Sequence, residues 1–389
     1  VVNFGTEPLQ YAITPTVLTE NAETKGDYGN VQVYFATQTS RDITAQTTWT
    51  TNCANNVVTV PAKGSADVTV TVKLSDALRK ELTDTFENGI YIEGYITLKQ
   101  QATAEGVTGC DLSIPYLAFY GDWDQAPVID IGYYWQKLQG EPNWASQYLN
   151  YGGSMLSGTG SFYVFGGNPY APELAYYPEH NTLSPLRTDG YYDKVDLIYT
   201  ALLRNAKSLT YRITDAKTGE TYYRKTVDYV GKSVYNANYD TILPAGSFTS
   251  TAIDPWYGVD SAGEMLKDDT TVIVSIDAEL DHDGFTAAQN KNAHWEFPVT
   301  IDNTPPQILS STSDGETLTL EVADSRYLAY VEVYDVEHMN VFSEPVFSQG
   351  YSSKTPGETA TVRVNVSSLN KVYVCLADYG RNEKVVTLD

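Results

Sequence analysis

Val68-Thr-Val-Thr-Val72 is the run that most restricts what this chain can fold into. Wound as a helix, its three valines would scatter around the axis. Drawn out as a strand, Val68, Val70 and Val72 line one face while Thr69 and Thr71 line the other, the pattern of a half-buried antiparallel strand. Val57-Val-Thr-Val60 precedes it, separated by Pro61-Ala-Lys-Gly64, so Val57 to Leu74 reads as strand, turn, strand. Gly89–Leu98 and Asp111–Tyr120 repeat the alternation. Several such strands within the first ~120 residues predict an antiparallel β-sandwich. Helical periodicity is nearly absent. The exception is Ser75 to Phe86, where Ser75 can cap and Leu78, Leu82 and Phe86 share a face. A weaker helical patch, Trp135 to Leu149, is interrupted by Gly140 and Pro142.

The chain has 389 residues, which at roughly 100–200 residues per domain predicts about two to four domains. Hydrophobic residues make up 42%, enough for several cores. No stretch approaches the ~20 apolar residues of a membrane helix, so no insertion into a bilayer is expected. Asp and Glu number 49 against 25 Lys and Arg, a formal charge of −24. Such a surface repels phosphate, which argues against nucleic acid and anionic lipid as partners and favours a monomer. Charged residues are only 19%, and 31 tyrosines share the polar surface with Ser, Thr, Asn and Gln, a composition typical of an exported β-protein. The opening Val-Val-Asn-Phe, without an initiator Met or a signal-peptide pattern, reads as a piece of a larger protein.

Two breaks divide the chain. Gly121-Asp-Trp-Asp-Gln-Ala-Pro127 looks like a domain exit, and Asp302-Asn-Thr-Pro-Pro306 sets a short, stiff connector. The expected organisation is all-β, with three tandem antiparallel β-sandwiches at 1–127, 128–304 and 305–389. The middle one is enlarged by a loop-rich aromatic stretch, Tyr133 to Tyr177, with a glycine-flanked hairpin between Gly152 and Tyr170. Its regular strands are expected at Val195–Leu203, Ser208–Thr214, Tyr222–Val230, Thr271–Ala278 and His294–Ile301. Those of the last unit are expected at Thr317–Val322, Tyr330–Asp335, Ala360–Val366 and Lys371–Ala377, before a final turn at Asp378–Glu383.

Several phrases in order carry a resemblance. They are an early NFG, VTVPAKGSADVTVTV within Val57–Val72, NGIYIEGYITL at Asn88–Leu98 and LSIPYLAFYGDWDQAP at Leu112–Pro127. Leu183–Glu220, with its RNAK phrase, FPVTIDNTPPQI at Phe297–Ile308 and the closing LADYGRNEKVVTL extend the match. Together they resemble the region that follows the protease domain in cell-envelope subtilisin-family proteases, the lactocepin and streptococcal C5a peptidase group. The resemblance implies fibronectin-type-III-like domains. It also implies an upstream protease domain in the same polypeptide, a protein substrate, and a secreted or bacterial cell-wall location. For this chain it implies a non-catalytic scaffold and substrate-recognition role.

The residues themselves offer no better chemistry. A subtilisin-type triad needs Asp, His and Ser in that order. Gly152-Gly-Ser-Met-Leu156 superficially matches a nucleophile segment, yet all four histidines, His180, His282, His294 and His338, follow Ser154. Ser154 is therefore read as a loop serine. Asp122 and Asp124 flank Trp123. Asp281-His-Asp-Gly284 has alternating oxygen ligands and a turn glycine, the flavour of a structural Ca²⁺ loop, but reads by default as an acidic turn, as does Asp268-Asp269. No histidine spacing suggests zinc. Cys53, Cys110 and Cys375 are too scattered for a metal cluster. They read either as buried thiols or, in an exported chain, as a Cys53–Cys110 bridge with one thiol left over. Catalytic, cofactor and metal residues are accordingly expected to be none.

Of the six tryptophans, Trp49, Trp123, Trp135, Trp144, Trp256 and Trp295, the cluster Tyr133, Tyr134, Trp135, Trp144, Tyr148 and Tyr151 suits a sugar-stacking platform. The alternatives are thus a carbohydrate-binding or adhesin array, and a hydrolase in its own right.

Overall fold

The computed structural model describes residues 1–28, 31–86, 88–101, 110–129, 156–157, 163–174, 177–195, 202–232, 234–236, 241–243, 254–282, 284–285, 290, 293–336 and 344–389. The chain is all-β, with sheets that are antiparallel but for one short pairing, and one α-helix among the described residues. It divides into two compact units, Val1–Ala126 and Pro127–Asp389. The Gly121–Pro127 break thus falls where the units part. The Pro305-Pro306 connector does not: it lies inside the second unit.

In the first unit the long strand Leu9–Tyr28 organises the main sheet. It pairs along one side with Ile90–Gln101, which in turn pairs with Leu112–Tyr120. Its other side is shared: Leu9–Ala12 pairs with Val57–Val60, and Leu18–Tyr28 with Val31–Asp42. Pro15 sits in the gap between those two partners, where a missing N–H costs no ladder hydrogen bond. Thr47–Thr51 and Val70–Leu74 form a separate two-stranded sheet. The strand–turn–strand reading of Val57–Leu74 therefore holds for its pieces but not for their pairing. The Pro61–Gly64 turn is present, with Gly64 N donating to Pro61 O at 3.1 Å. Its two flanking strands go to different sheets, because alternation specifies a buried face and not a partner.

The helix, Asp76–Thr85, forms where its pattern predicts. Ser75 caps it by accepting from Leu78 N at 3.2 Å. Leu78 and Leu82 enter a core with Val17, Ile43, Ile90 and Ile92. A second core patch gathers Tyr11, Ile13, Val58, Val60 and Leu98.

The second unit contains two cores. The first lies on a five-stranded sheet ordered Thr182–Leu183, His294–Ile301, Thr271–Glu279, Ala206–Asp215, Thr221–Val230. Only the Thr182–Leu183 pairing is parallel. Val128, Ile129, Phe165, Tyr192, Val195, Leu202 and Trp256, from irregular segments, join the core against this sheet. The second core lies between a three-stranded sheet (Gln307–Ser313, Thr317–Ala323, Ala360–Asn365) and a four-stranded one (Phe347–Gly350, Leu328–Asp335, Val372–Asp378, Glu383–Leu388). Strands expected from alternation appear with shifts of a residue or two. Of Val195–Leu203, only the two ends are described, each as a single bridge. Gln307–Ser313, exposed over most of its length, shows no alternation to read.

All three cysteines are free thiols, so Cys53 and Cys110 are not bridged; Cys110 is exposed and Cys53 and Cys375 are only half-buried, so none is the buried thiol expected. The helical patch at Trp135–Leu149 lies outside the described residues.

Leu82→Ala is expected to lower the stability of the first unit by about 2–5 kcal/mol through the cavity it leaves. Ser75→Ala should cost about 1 kcal/mol through the lost cap. Denaturant unfolding of the two variants against the parent chain checks both the size and the order of these effects.

Candidate functional site

The described histidines are His180, His282 and His294. His180 is fully buried in the second unit, its ring against Tyr379 at 4.0 Å and Tyr327 at 4.6 Å. Its Nε2 lies 2.6 Å from the Ser353 carbonyl. Burial disfavours the imidazolium and outweighs that carbonyl, so His180 titrates below the ordinary histidine value. His294 is surface-exposed on its strand. Partial burial alone would lower its pKa, but the Asp277 carboxylate 2.6 Å from Nδ1, joined by Glu296, raises it above the ordinary value. Asp277 also accepts from Arg212 at 3.0 Å, completing a charged ladder across three neighbouring strands. His282 packs edge-on against Phe285. Ser154, His338, Asp283 and the aromatic cluster from Tyr133 to Tyr151 lie outside the described residues.

The sequence reading missed the site with the strongest electrostatic signature. Asp302, Asp324 and Asp378 are drawn from three separate segments of the second unit. Each offers one carboxylate oxygen within 4.8 Å of the others. They are 1%, 4% and 1% exposed. Asp302 ends the strand His294–Ile301, Asp324 follows Thr317–Ala323, and Asp378 closes Val372–Asp378. Each is held by the turn after it. Asp302 Oδ1 accepts from Thr304 N at 3.0 Å, Asp324 Oδ1 from Arg326 N at 2.7 Å, and Asp378 Oδ1 from Asn382 N at 2.7 Å. Asp302 Oδ2 and Asp324 Oδ2 are buried without a hydrogen-bond partner.

Burial, and then the charge of Asp324, push Asp302 up to about 7. Burial raises Asp324 as well. Burial, followed by the charges of Asp324 and Asp302, lifts Asp378 well above the usual carboxylate range.

A polar seam continues from this cluster. Asn382 Nδ2 reaches Asp378 Oδ2 at 2.7 Å, the Asp302 carbonyl at 2.9 Å and Ser184 Oγ at 3.0 Å. Ser184 Oγ also lies 2.7 Å from the Asp302 carbonyl and 3.0 Å from the Gly380 carbonyl. A Cβ on Gly380 would stand 2.1 Å from Ser184 Oγ, so only glycine fits there. Asn168 Nδ2 donates to the carbonyls of Ala329 and Tyr351 at 2.7 and 3.0 Å, and Tyr170 stacks on Tyr330. The Asp302–Pro306 segment is thus bound into a buried polar junction between the two cores.

The other surface of note belongs to the first unit. Tyr91, Tyr95, Leu117 and Phe119 share the outward face of the paired strands Ile90–Gln101 and Leu112–Tyr120. Tyr91 is 48% exposed, Leu117 66%, and Trp123, in the turn that follows, 41%. Phe119 meets Trp123 edge-on at 4.9 Å and Tyr91 at 5.5 Å. By contrast, Trp256 and Trp295 are buried in the second unit's core.

At pH 6.5, histidine ¹⁵N NMR should show His180 more neutral, and His294 more protonated, than an unperturbed histidine. The opposite order would contradict both environments. Asp277→Asn should lower the His294 pKa and leave His180 unmoved.

Comparison with known proteins agrees with the sequence resemblance. Residues 1–117 match the family model for the Fn3-like domain. The chain is 24% identical over 319 residues to the C5a peptidase of Streptococcus pyogenes serotype M1, covering 68% of this chain and 25% of that protein. It is 23% identical over 291 residues to the PI-type proteinase of Lactococcus lactis subsp. cremoris, covering 70% of this chain and 13% of that protein. The PII-type proteinase of the same organism matches with the same identity and coverage. The chain therefore spans about a quarter or less of the length of these relatives.

Proposed function

We propose, from the premise that residues 1–117 are an Fn3-like domain and that the chain is kin to C5a peptidases and lactococcal proteinases, that it is the non-catalytic accessory region of a subtilisin-like bacterial surface protease. In this reading it works as a scaffold. The first unit braces a protease domain in the same polypeptide, and the later β-domains, extending outside the cell, help to engage a protein substrate.

The observation that carries the reading is the outward face of Tyr91, Tyr95, Leu117 and Phe119 with Trp123. Edge-on aromatic rings and an exposed leucine on one sheet face form the kind of apolar patch that marks a protein interface. A structured protease domain is the occupant that suits a patch of this chemistry. Sugar stacking calls for a flat open ring, whereas Trp123 meets both Phe119 and Tyr91 edge-on. Acidic loops at the ends of the later sheets would favour basic segments of a substrate. Placement of His180 in a closed aromatic pocket and His294 in a surface charge ladder supports the non-catalytic reading.

Two measurements test it. The purified 389-residue chain should show no peptidase activity and take up no fluorophosphonate probe, whereas labelling of a serine in it would overturn the reading. In the parent protease, replacing Tyr91, Leu117 and Trp123 together by serine should lower the melting temperature of the protease domain and its activity. Unchanged stability and activity in that variant would remove the bracing role.

A further inference from the structure

We infer that Asp302, Asp324 and Asp378 form a Ca²⁺ site that joins the two cores of the second unit. Three carboxylates within 4.8 Å of one another, each nearly sealed from water, cannot all stay ionised without a counter-charge. The Arg326 guanidinium offsets only part of that charge, since burial still leaves Asp302 and Asp324 raised beside it. Arg326 Nη1 lies 3.7 Å from Asp269, its Nη2 reaches the Glu179 carbonyl at 3.5 Å, and the group sits over the Tyr327 ring.

A second observation points to a ligand. Asp302 Oδ2 and Asp324 Oδ2 are buried and accept nothing, while the other oxygen of each is engaged by a backbone N–H. An unsatisfied buried carboxylate oxygen is costly, and two beside a third carboxylate form a ready-made set of cation ligands.

The donor set selects the ion. All the ligands are hard oxygens, without imidazole or thiolate among the three, so zinc and the softer transition metals are disfavoured. Ca²⁺ takes six to eight oxygen ligands at about 2.3–2.6 Å in a flexible geometry, which carboxylates gathered from three separate segments can meet. Mg²⁺ demands about 2.1 Å and a stricter octahedron. The three backbone N–H bonds, from Thr304, Arg326 and Asn382, orient the carboxylates as outer partners do in metal sites. Water would complete the coordination.

The placement gives the ion a role. Asp302 belongs to the end of one sheet, and Asp324 and Asp378 to the two sheets of the last core. Bound Ca²⁺ would tie the Pro305-Pro306 connector into the junction and stiffen the second unit.

The test uses the full 389-residue chain, stripped of metal and titrated with CaCl₂ by calorimetry and thermal unfolding. One ion per chain is expected, with a rise of several degrees in the melting temperature that EDTA reverses and MgCl₂ reproduces poorly. Asp324→Asn should weaken Ca²⁺ binding by at least about tenfold while leaving far-UV circular dichroism unchanged. Asp281→Asn, at a surface acidic turn, should leave it intact. Should Asp324→Asn fail to fold, Asp302→Asn and the wild-type titration carry the test. No saturable Ca²⁺ binding to the wild-type chain at millimolar concentration would overturn the site and leave shared protons as the counter-charge. Binding unaffected by Asp324→Asn or Asp302→Asn, or lost on Asp281→Asn, would equally overturn it.

Discussion

A strand that alternates apolar and polar residues must hide one face from water, and almost every other feature of this chain follows from how those faces are covered. In the first unit, the strands around Leu9–Tyr28 place Tyr11, Ile13 and Val17 inward, and a capped helix contributes Leu78 and Leu82. In the second, Val272, Val274 and Ile276 are fully buried on the five-stranded sheet, while Leu320, Val331 and Val374 are fully buried between the two sheets that follow. Burial of this kind is non-directional, and at roughly 25 cal/mol per Å² of apolar surface it stabilises each core without fixing how cores meet.

That second task falls to polar groups. The junction in the second unit is written in hydrogen bonds. Asn168 joins Ala329 and Tyr351, Ser184 lies between Asp302 and Gly380, and Asn382 reaches Asp302 and Asp378. Buried polar contacts add little net stability when satisfied but cost much when displaced, so they select one arrangement of the two cores over others. The aromatic face of the first unit has the opposite character: Tyr91, Tyr95 and Leu117 stand exposed around Glu93, the cross-strand neighbour of Leu117.

Local signals in the sequence were sufficient for much of this. His294–Ile301 is bounded as its alternation predicts, and Ser75 caps the helix it announces. Pairing was less legible. Val57–Val60 and Val70–Leu74 flank a real turn yet join different sheets, because register depends on partners far along the chain. Leu9–Tyr28 is hard to read as one strand, since its first half carries Pro15 and pairs with segments far along the chain, and its second half is polar, without apolar alternation.

The carboxylate cluster was the least legible feature. The sequence directs attention to neighbouring acids such as Asp281 and Asp283, whereas the fold gathers Asp302, Asp324 and Asp378 from three strand ends. The usable signal was an Asp closing each strand just before a turn, at Asp302-Asn-Thr, Asp324-Ser-Arg and Asp378-Tyr-Gly. Only topology brings those three ends together.

The claim on which the account rests is that the first unit's aromatic face is an interface for a protease domain. Hydroxyl-radical footprinting compares Tyr91, Leu117 and Trp123 in the 389-residue chain with the same residues in the parent protein that carries the protease domain. The account predicts ready oxidation in the chain alone and strong protection in the parent. Equal oxidation in both would contradict it.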